Sequence, residues 1–210
     1  SKHPTTQDGR SSVTDIQIGG AKRARRGYSF DEVAIAPSRR TRDPEAVSTA
    51  WPIDAYRFDT PLIAAPMDSV VSPSSAEVLA GLGLLAVLNL EGLWGRYENP
   101  EPLLAEILAL DPDEVTPRMQ AIYAAQPVDN GLVTARIADL KAAGVTVAVS
   151  TSPRSAARLA PLAAQAGADI VVIRGTTVSA EHVSATGEPL NLKQFIHELD
   201  VPVIVGGCAT

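Results

Sequence analysis

The sequence predicts an α/β fold in which parallel strands alternate with helices. Apolar runs suited to buried strands recur along the chain, and the segments between them carry apolar residues at helical spacing. Serine, asparagine or threonine followed by proline opens four of the predicted helices, and glycine closes three of them. Because five such units follow one another without a glycine-rich dinucleotide fingerprint, we expect a TIM (β/α)8 barrel, of which this chain supplies about the first five βα units.

The predicted strands are short, continuous apolar runs, as expected for strands that are covered on both faces. The first stops at Pro66, the second ends at Asn89, and the fifth is broken by Gly206 and Gly207. In chain order they cover residues 62–65, 84–88, 145–149, 170–173 and 201–205.

The predicted helices begin at capping residues. Ser72 is the N-cap of a helix over 73–81, with Pro73 at its first position. The same device predicts helix starts at Pro100, Pro117 and Pro153. Two further helices, over about 130–143 and over 192–199, are predicted from helical spacing alone.

Composition narrows the class of protein. A net charge of −6 argues against nucleic acid as a partner, and no apolar run is long enough to span a membrane. The single cysteine, Cys208, excludes an intrachain disulfide framework, so we expect a cytoplasmic protein. No histidine has the spacing of a metal ligand, so no metal site is predicted. Residues 1–27 are predicted to be a mobile polar and basic leader, and 28–210 to be the N-terminal portion of the barrel.

The most informative segment is 60–71, TPLIAAPMDSVV. A buried strand ends there, and Met67, Asp68 and Ser69 follow in a loop before the next helix. Since barrels carry their chemistry at the carboxyl ends of the strands, this loop is predicted to face a ligand. Structural roles stay open beside that one, because Met67 also suits a gap in the core and Asp68 also suits a helix cap.

Four segments in order resemble the IMP dehydrogenase/GMP reductase family. The segment 28–33, YSFDEV, is similar to the family's F-D-D-V opening, and 61–71 to its P-L-V-S-A-P-M-D-T-V strand. The segment 81–89, GLGLLAVLN, is similar to G-G-I-G-F-I-H-H-N, and 203–210, VIVGGCAT, to V-I-A-G-N-V-A-T. The resemblance is strongest to bacterial paralogues without the regulatory CBS pair, since residues 90–145 are too few to contain it.

The resemblance implies a purine-nucleotide oxidoreductase, converting IMP to XMP with NAD or GMP to IMP with NADPH. It further implies a homotetramer and allows a monovalent cation. The nucleophilic cysteine of the family and the remaining barrel strands are expected in C-terminal sequence beyond Thr210, so no catalytic residue is assigned here. The direction of the reaction and the choice between NAD and NADP are left open.

The resemblance assigns binding residues position by position. The nucleotide-binding residues are expected to be Ala65, Met67, Asp68, Asn89, Gly206 and Gly207, and the cofactor-binding residues Arg174, Gly175 and Thr176. Several of them depart from the family pattern. Ala65 replaces a serine, Asn89 a histidine, Gly207 an asparagine, and Arg174 an aspartate. These departures keep an alternative open: a non-catalytic nucleotide-binding paralogue that regulates or assembles with true dehydrogenase subunits.

Two further features have competing interpretations. Ser150, Ser152 and Ser155 stand where a helix start could bind a phosphate, although capping by Ser152 explains them as well. Cys208 follows a strand end, but it does not align with the family's nucleophile, and we expect it to be buried and unreactive.

Overall fold

The structure is a computed structural model that describes residues 16–18, 20, 22–24, 27–36, 39–178, 181–182 and 190–208. The chain divides into two compact units, Ser1–Val47 and Ser48–Thr210. In the first unit, Ile16–Ile18 pairs antiparallel with Lys22–Ala24, and short 3-10 helices cover Phe30–Glu32 and Pro44–Ala46. Most of the predicted leader lies outside the described residues, so its mobility and its boundary at residue 27 stay predictions.

A five-stranded parallel sheet forms the second unit. Its strands are paired in chain order, with β1 and β5 at the two edges. This arrangement confirms the predicted fold, since sequential parallel strands joined by helices are the first units of a TIM barrel. The strands are β1 (Ile63–Ala64), β2 (Leu85–Asn89), β3 (Ala148–Thr151), β4 (Ile170–Val178) and β5 (Val203–Cys208).

In the part of the chain that the structure describes, six α-helices connect and cover these strands. Four of them follow the sequence prediction closely, and the helix before β3 buries Val133, Ile137 and Leu140, the residues whose spacing predicted it. The helices are α1 (Pro73–Gly81), α2 (Glu101–Leu108), α3 (Pro112–Ala125), α4 (Asn130–Ala142), α5 (Pro153–Gln165) and α6 (Leu192–Glu198).

Several predicted boundaries were wrong. Strand β4 continues to Val178 instead of ending at Ile173, and Pro100 is the N-cap of α2 and not its first residue. Helix α3 begins at Pro112, so Pro117 lies inside the helix rather than at its start. Strand β3 begins only at Ala148, after an irregular stretch. Strand β5 starts later than predicted and continues through Gly206 and Gly207, because its hydrogen bonds to β4 tolerate an irregularity between Gly206 and Cys208.

The two faces of the sheet bury different clusters. One face packs on α1, α4, α5 and α6 through residues such as Leu88, Val149 and Val171. The other face carries Leu85, Val87, Ala148, Ile170 and Val172. Because side chains alternate along a strand, Asn89, Ser150 and Arg174 continue this second face toward the carboxyl edge. The second face is therefore apolar through most of its length and polar where the strands end.

A β-hairpin that the sequence did not predict packs against the apolar part of the second face. Trp51–Ile53 pairs with Tyr56–Phe58, and the rings of Trp51 and Phe58 lie 4.9 Å apart. The Tyr56 hydroxyl donates to Asp169 Oδ1 at 3.0 Å, next to the start of β4. The hairpin thus covers the amino end of the sheet and leaves the carboxyl end for other contacts.

Candidate functional site

A cavity of about 300 Å³ lies at the carboxyl edge of the sheet. One side is formed by the loop after β1, the end of β2 and one side chain of β4, and the other by α2 and α3. The lining residues are Pro66, Met67, Asp68, Ser69, Asn89, Leu104, Ile107, Val115, Met119, Tyr123 and Arg174. The structure therefore brings together the loop that the sequence singled out and polar ends of neighbouring strands.

Four of the predicted binding residues line this cavity: Met67, Asp68, Asn89 and Arg174. The others lie elsewhere along the strand ends and are not among the lining residues. Ala65 is exposed just before the loop. In β5, Gly206 lies opposite Arg174 of β4, and Gly207 falls where the pairing becomes irregular, beside the part of β4 that contains Gly175 and Thr176. Their roles as nucleotide or cofactor contacts stay predictions, as do those of the four that line the cavity.

The loop after β1 is fixed by its own backbone and by Asp68. The amides of Val70 and Val71 both donate to the Met67 carbonyl at 2.9 Å. Asp68 Oδ2 accepts a hydrogen bond of 2.9 Å from the Leu93 amide and one of 2.8 Å from the Tyr123 hydroxyl. Asp68 therefore joins the loop to the turn after β2 and to α3. It does not cap α1, whose first turn is capped by Ser72.

Glycine at position 92 makes this arrangement of Asp68 sterically possible. A Cβ atom added to Gly92 would lie 2.1 Å from Asp68 Oδ1. That oxygen is buried and has no hydrogen-bond partner among the described residues. Its desolvation is unfavourable, and the two hydrogen bonds at Oδ2 offset part of that loss.

Tyr123 is held in its protonated form. Burial, followed by the charge and hydrogen bond of Asp68, raises the pKa of the Tyr123 phenol well above its ordinary value. Its hydroxyl is therefore a fixed donor near neutral pH. The Arg96 guanidinium lies 5.1 Å from the centre of the Tyr123 ring and donates to the Tyr123 carbonyl at 3.1 Å.

The turn after β2 also connects to the start of α5. Arg96 Nε donates to the Glu91 carbonyl at 2.9 Å. The Glu91 carboxylate accepts hydrogen bonds from the hydroxyls of Ser152 at 3.0 Å and Ser155 at 2.6 Å, and from the Ser152 amide. A carboxylate of the chain itself thus occupies the helix start where a phosphate was considered.

The interpretation of Ser152 needs a correction. Ser152 is the N-cap of α5 by position, but its side chain makes no capping hydrogen bond and donates to Glu91 instead. Ser150 is buried on the second face of the sheet, opposite Asn89. Two of the three serines, Ser152 and Ser155, therefore bind Glu91, which sequence reasoning did not single out, and Ser150 is not part of that contact.

Arg174 is the cation of the cavity. Its side chain is exposed, and it forms no hydrogen bond or ion pair with another described residue. An arginine without an internal partner retains all its donors for an incoming anion. The described lining of the cavity thus contains one cation with free donors, Arg174, and one carboxylate, Asp68, whose Oδ2 is hydrogen-bonded to Leu93 and Tyr123. Arg174 is the group of the lining that can bind an anionic part of a ligand.

Sequence reasoning missed the α2 and α3 side of the cavity. Val115, Met119 and Tyr123 follow one another at intervals of four residues, which places them on one face of a helix. That signal was lost because Pro117 was taken as the helix start, which left Val115 outside the helix.

A larger depression, of about 460 Å³, lies at the opposite end of the sheet. Its lining includes Arg57, Asp59, Glu77 and Gly144, which belong to the hairpin and to the ends of α1 and α4. In barrels of this kind, that end carries stability and the carboxyl end carries chemistry. We therefore take the smaller carboxyl-edge cavity as the candidate site.

Comparison with known proteins supports the resemblance. An uncharacterized oxidoreductase of Mycolicibacterium smegmatis is 48% identical over 197 residues, and one of Mycobacterium tuberculosis is 49% identical over the same length. Each match covers 91% of this chain and 52% of the relative. The chain thus spans about half the length of the curated relatives it matches. No family model matches the sequence.

The crystal structure of an IMP dehydrogenase/GMP reductase-like protein from Corynebacterium glutamicum superposes with a TM-score of 0.79. It shares 42% sequence identity, and the match covers 92% of this chain and 52% of that protein. The resemblance drawn from four sequence segments is therefore confirmed: over the part that it spans, the chain is similar in both sequence and fold to this IMP dehydrogenase/GMP reductase-like protein.

Two features are absent from the described residues. No helix there is long and apolar enough to cross a membrane. Likewise, that part of the chain contains no group of three or more histidine, cysteine, aspartate or glutamate side chains placed to hold a metal ion.

Proposed function

We propose that this chain forms the nucleotide-facing half of a purine-nucleotide oxidoreductase of the IMP dehydrogenase/GMP reductase type. The observation that carries the proposal is the carboxyl-edge cavity, whose lining combines Met67, Asp68, Asn89 and Arg174. These are four of the positions that the family resemblance assigns to ligand binding. The names of the relatives, all oxidoreductases, support the same general activity.

The proposed cofactor is NAD or NADP, which supplies or accepts a hydride when bound. The guanidinium of Arg174, which has no partner among the residues that the structure describes, fits the phosphate groups that both dinucleotides carry. The backbone of Gly175 and Thr176, next to it in β4, is the accompanying candidate contact. In this proposal the chain's own residues bind and orient the ligands, while the nucleophile lies in sequence beyond this chain.

Further properties implied by the resemblance are proposed with it. They are a homotetramer, a cytoplasmic location, a bound monovalent cation, and completion of the barrel by strands from sequence beyond Thr210. The edges at which such strands would pair are β1 and β5.

The test is turnover by the purified full-length protein, followed through the ultraviolet absorbance of the reduced cofactor. IMP with NAD and GMP with NADPH are assayed separately, and each nucleotide is also assayed without cofactor as a control. The proposal expects turnover with one of the two pairs. Absence of turnover with both pairs, together with measurable nucleotide binding, would reject catalysis.

That second outcome is the one expected for a non-catalytic paralogue. A specific observation favours keeping this candidate: the donors of Ser152 and Ser155 are already taken by Glu91. Together with the losses of polar side chains at Ala65 and Gly207, this leaves fewer groups free to hold a substrate in a reactive position. Binding without turnover, and restored turnover on mixing with an active dehydrogenase subunit, would establish this role.

A further inference from the structure

We propose that α2 and α3 form the wall that selects the ligand's ring: the cavity takes a planar heteroaromatic ring against Ile107 and Met119, with the phosphate of the same nucleotide at Arg174. This inference rests on the proposed function only in taking the ligand to be a nucleotide. It adds the residues that hold the ring and those that hold the phosphate.

The composition of the cavity separates its two sides. The α2 and α3 side contributes Leu104, Ile107, Val115 and Met119, all apolar, and the only polar group from these helices is the Tyr123 hydroxyl. That hydroxyl is already bonded to Asp68. An apolar side with no free donor or acceptor binds the face of a ring by burial and not by hydrogen bonding.

Thioether side chains approach the cavity from both sides. Met67 lies in the loop after β1 and Met119 in α3. Methionine is polarizable and adapts its rotamers, and its sulfur makes favourable contacts with aromatic rings. A ring inserted between the loop and α3 would meet a methionine on each side.

The volume limits what can enter. At about 300 Å³ the cavity is at the lower end of the range for small-molecule sites. It therefore accommodates one nucleoside-sized portion of a ligand and not a whole dinucleotide. The portion could be the purine nucleotide or one half of NAD(P), and both are phosphorylated nucleosides.

Two contacts attach the wall of α2 and α3. Arg118 of α3 forms a two-pronged ion pair with Glu106 of α2, with Nη2 3.0 Å from Oε2. The Tyr123 hydrogen bond to Asp68 joins α3 to the loop, and the ion pair, whose side chains are exposed, adds a weaker surface link between α2 and α3.

The experiment measures dissociation constants for the full-length protein by isothermal titration calorimetry. The ligands are IMP, GMP, NADH and NADPH, with inosine and guanosine as the forms without phosphate. Met119→Trp fills the cavity from α3, and Ile107→Trp fills it from α2. Leu108→Trp is the matched control, since Leu108 is on α2 but is 86% exposed and does not line the cavity.

We expect both filling variants to raise the dissociation constant of the ligand that uses the cavity by about tenfold or more, because a ring can no longer be buried in a filled cavity. Leu108→Trp should bind as the wild type does. The ligand that is weakened, purine nucleotide or dinucleotide, identifies which of the two uses the cavity. Equal dissociation constants for wild type, Met119→Trp and Ile107→Trp would contradict the proposal that α2 and α3 bind the ring.

The phosphate contact is tested separately. Arg174→Gln should raise the dissociation constant of the phosphorylated ligand by about tenfold, as expected for loss of a charge-assisted hydrogen bond. The dissociation constants of inosine and guanosine should not change. Arg154→Gln, at an exposed position at the start of α5, is the control. An equal loss for nucleotides and nucleosides would contradict a phosphate at Arg174.

Different results would refute the ring-binding wall and the proposed oxidoreductase function. Turnover by the wild type with unchanged binding in the filling variants would refute the wall and leave the proposed oxidoreductase standing. If the wild type binds none of the six ligands, both the wall and the proposed function are wrong.

Discussion

Single residues decide how the loop after β1 is held. Gly92 permits the Asp68 carboxylate to lie against the backbone, where it accepts from Leu93 and Tyr123. The sequence identified Asp68 through its place after an apolar run that was predicted to be a buried strand. The strand forms, but its burial was predicted wrongly, since Ile63 is 46% exposed at this edge of the sheet. The sequence could not identify Gly92 or Tyr123, because both act by contacting Asp68 in the folded protein. They lie 24 and 55 residues away from Asp68 in the chain.

Gly92→Ala should destabilise the protein. The added methyl group would lie 2.1 Å from Asp68 Oδ1, so either the carboxylate or the turn must move. We expect a loss of about 1–3 kcal/mol in the free energy of unfolding, as for other overpacked sites. Urea denaturation of the full-length protein measures it. The control is Gly81→Ala, where no atom lies within 4 Å of the new methyl group. Similar stabilities for the two variants would contradict the steric account.

Asp169, at the amino end of the sheet, makes the stability of the protein depend on pH. Burial by itself favours the neutral acid, but hydrogen bonds from the Val147 amide, Lys141 and Tyr56 outweigh it and lower the pKa of Asp169. A carboxylate with a lowered pKa stabilises the folded state above its unfolded-state pKa of about 3.9. That contribution is lost as the pH falls from there through the lower folded-state value.

Asp169→Asn should therefore cost about 1–3 kcal/mol of unfolding free energy at neutral pH, and the difference from wild type should shrink below about pH 4. Denaturant titrations of both proteins across this range measure the difference. Asp139→Asn is the control, because Asp139 forms only an exposed pair with Arg136, 3.7 Å away. A difference that stays constant down to the lowest pH would contradict the assignment.

Among the elements, helix starts marked by a capping residue and proline were predicted well where they agreed with burial. Helix α1 begins at Pro73 and α5 at Pro153, as predicted. The same signal failed at Pro117, which lies in the second turn of α3. Proline is tolerated near a helix start because the first amides have no acceptor within the helix, and Pro112 already occupies that position.

The connection between β2 and α5 could not be predicted, because it depends on the fold. Glu91 follows β2, and the hydroxyls that it accepts from are 61 and 64 residues further along the chain. Parallel pairing of β2 with β3 brings them together, since Asn89 lies opposite Ser150. The carboxylate also benefits from the partial positive charge at the start of α5.

Glu91→Ala should lower the free energy of unfolding by about 2 kcal/mol, because it leaves the half-buried donors of Ser152 and Ser155 without their acceptor. The matched control is Glu77→Ala, an exposed glutamate on α1 without a hydrogen-bond partner among the described residues. Thermal denaturation of the full-length variants compares the two. Equal melting temperatures would show that Glu91 does not connect β2 to α5.

For the molecule as a whole, the order of elements followed from the sequence, and so did the edge of the sheet at which the candidate cavity lies. Apolar runs, caps and glycines suffice to predict sequential parallel strands, and the carboxyl ends of those strands must meet at one edge. The hairpin Trp51–Ile53 and Tyr56–Phe58 was missed, because its strands are only three residues long and contain Pro52. The position of α2 and α3 beside the cavity depends on tertiary packing, which the spacing of apolar residues in the sequence does not predict.

The central claim is that nucleotides bind at the carboxyl edge, between the loop after β1 and α3. Hydrogen–deuterium exchange of the full-length protein, with and without IMP or NADH, tests it most directly. We predict slower exchange of the amides at 67–71 and in α3 when the bound nucleotide is present, and unchanged exchange in the hairpin at the amino end. Slower exchange in the hairpin, with none at 67–71 or in α3, would contradict the account.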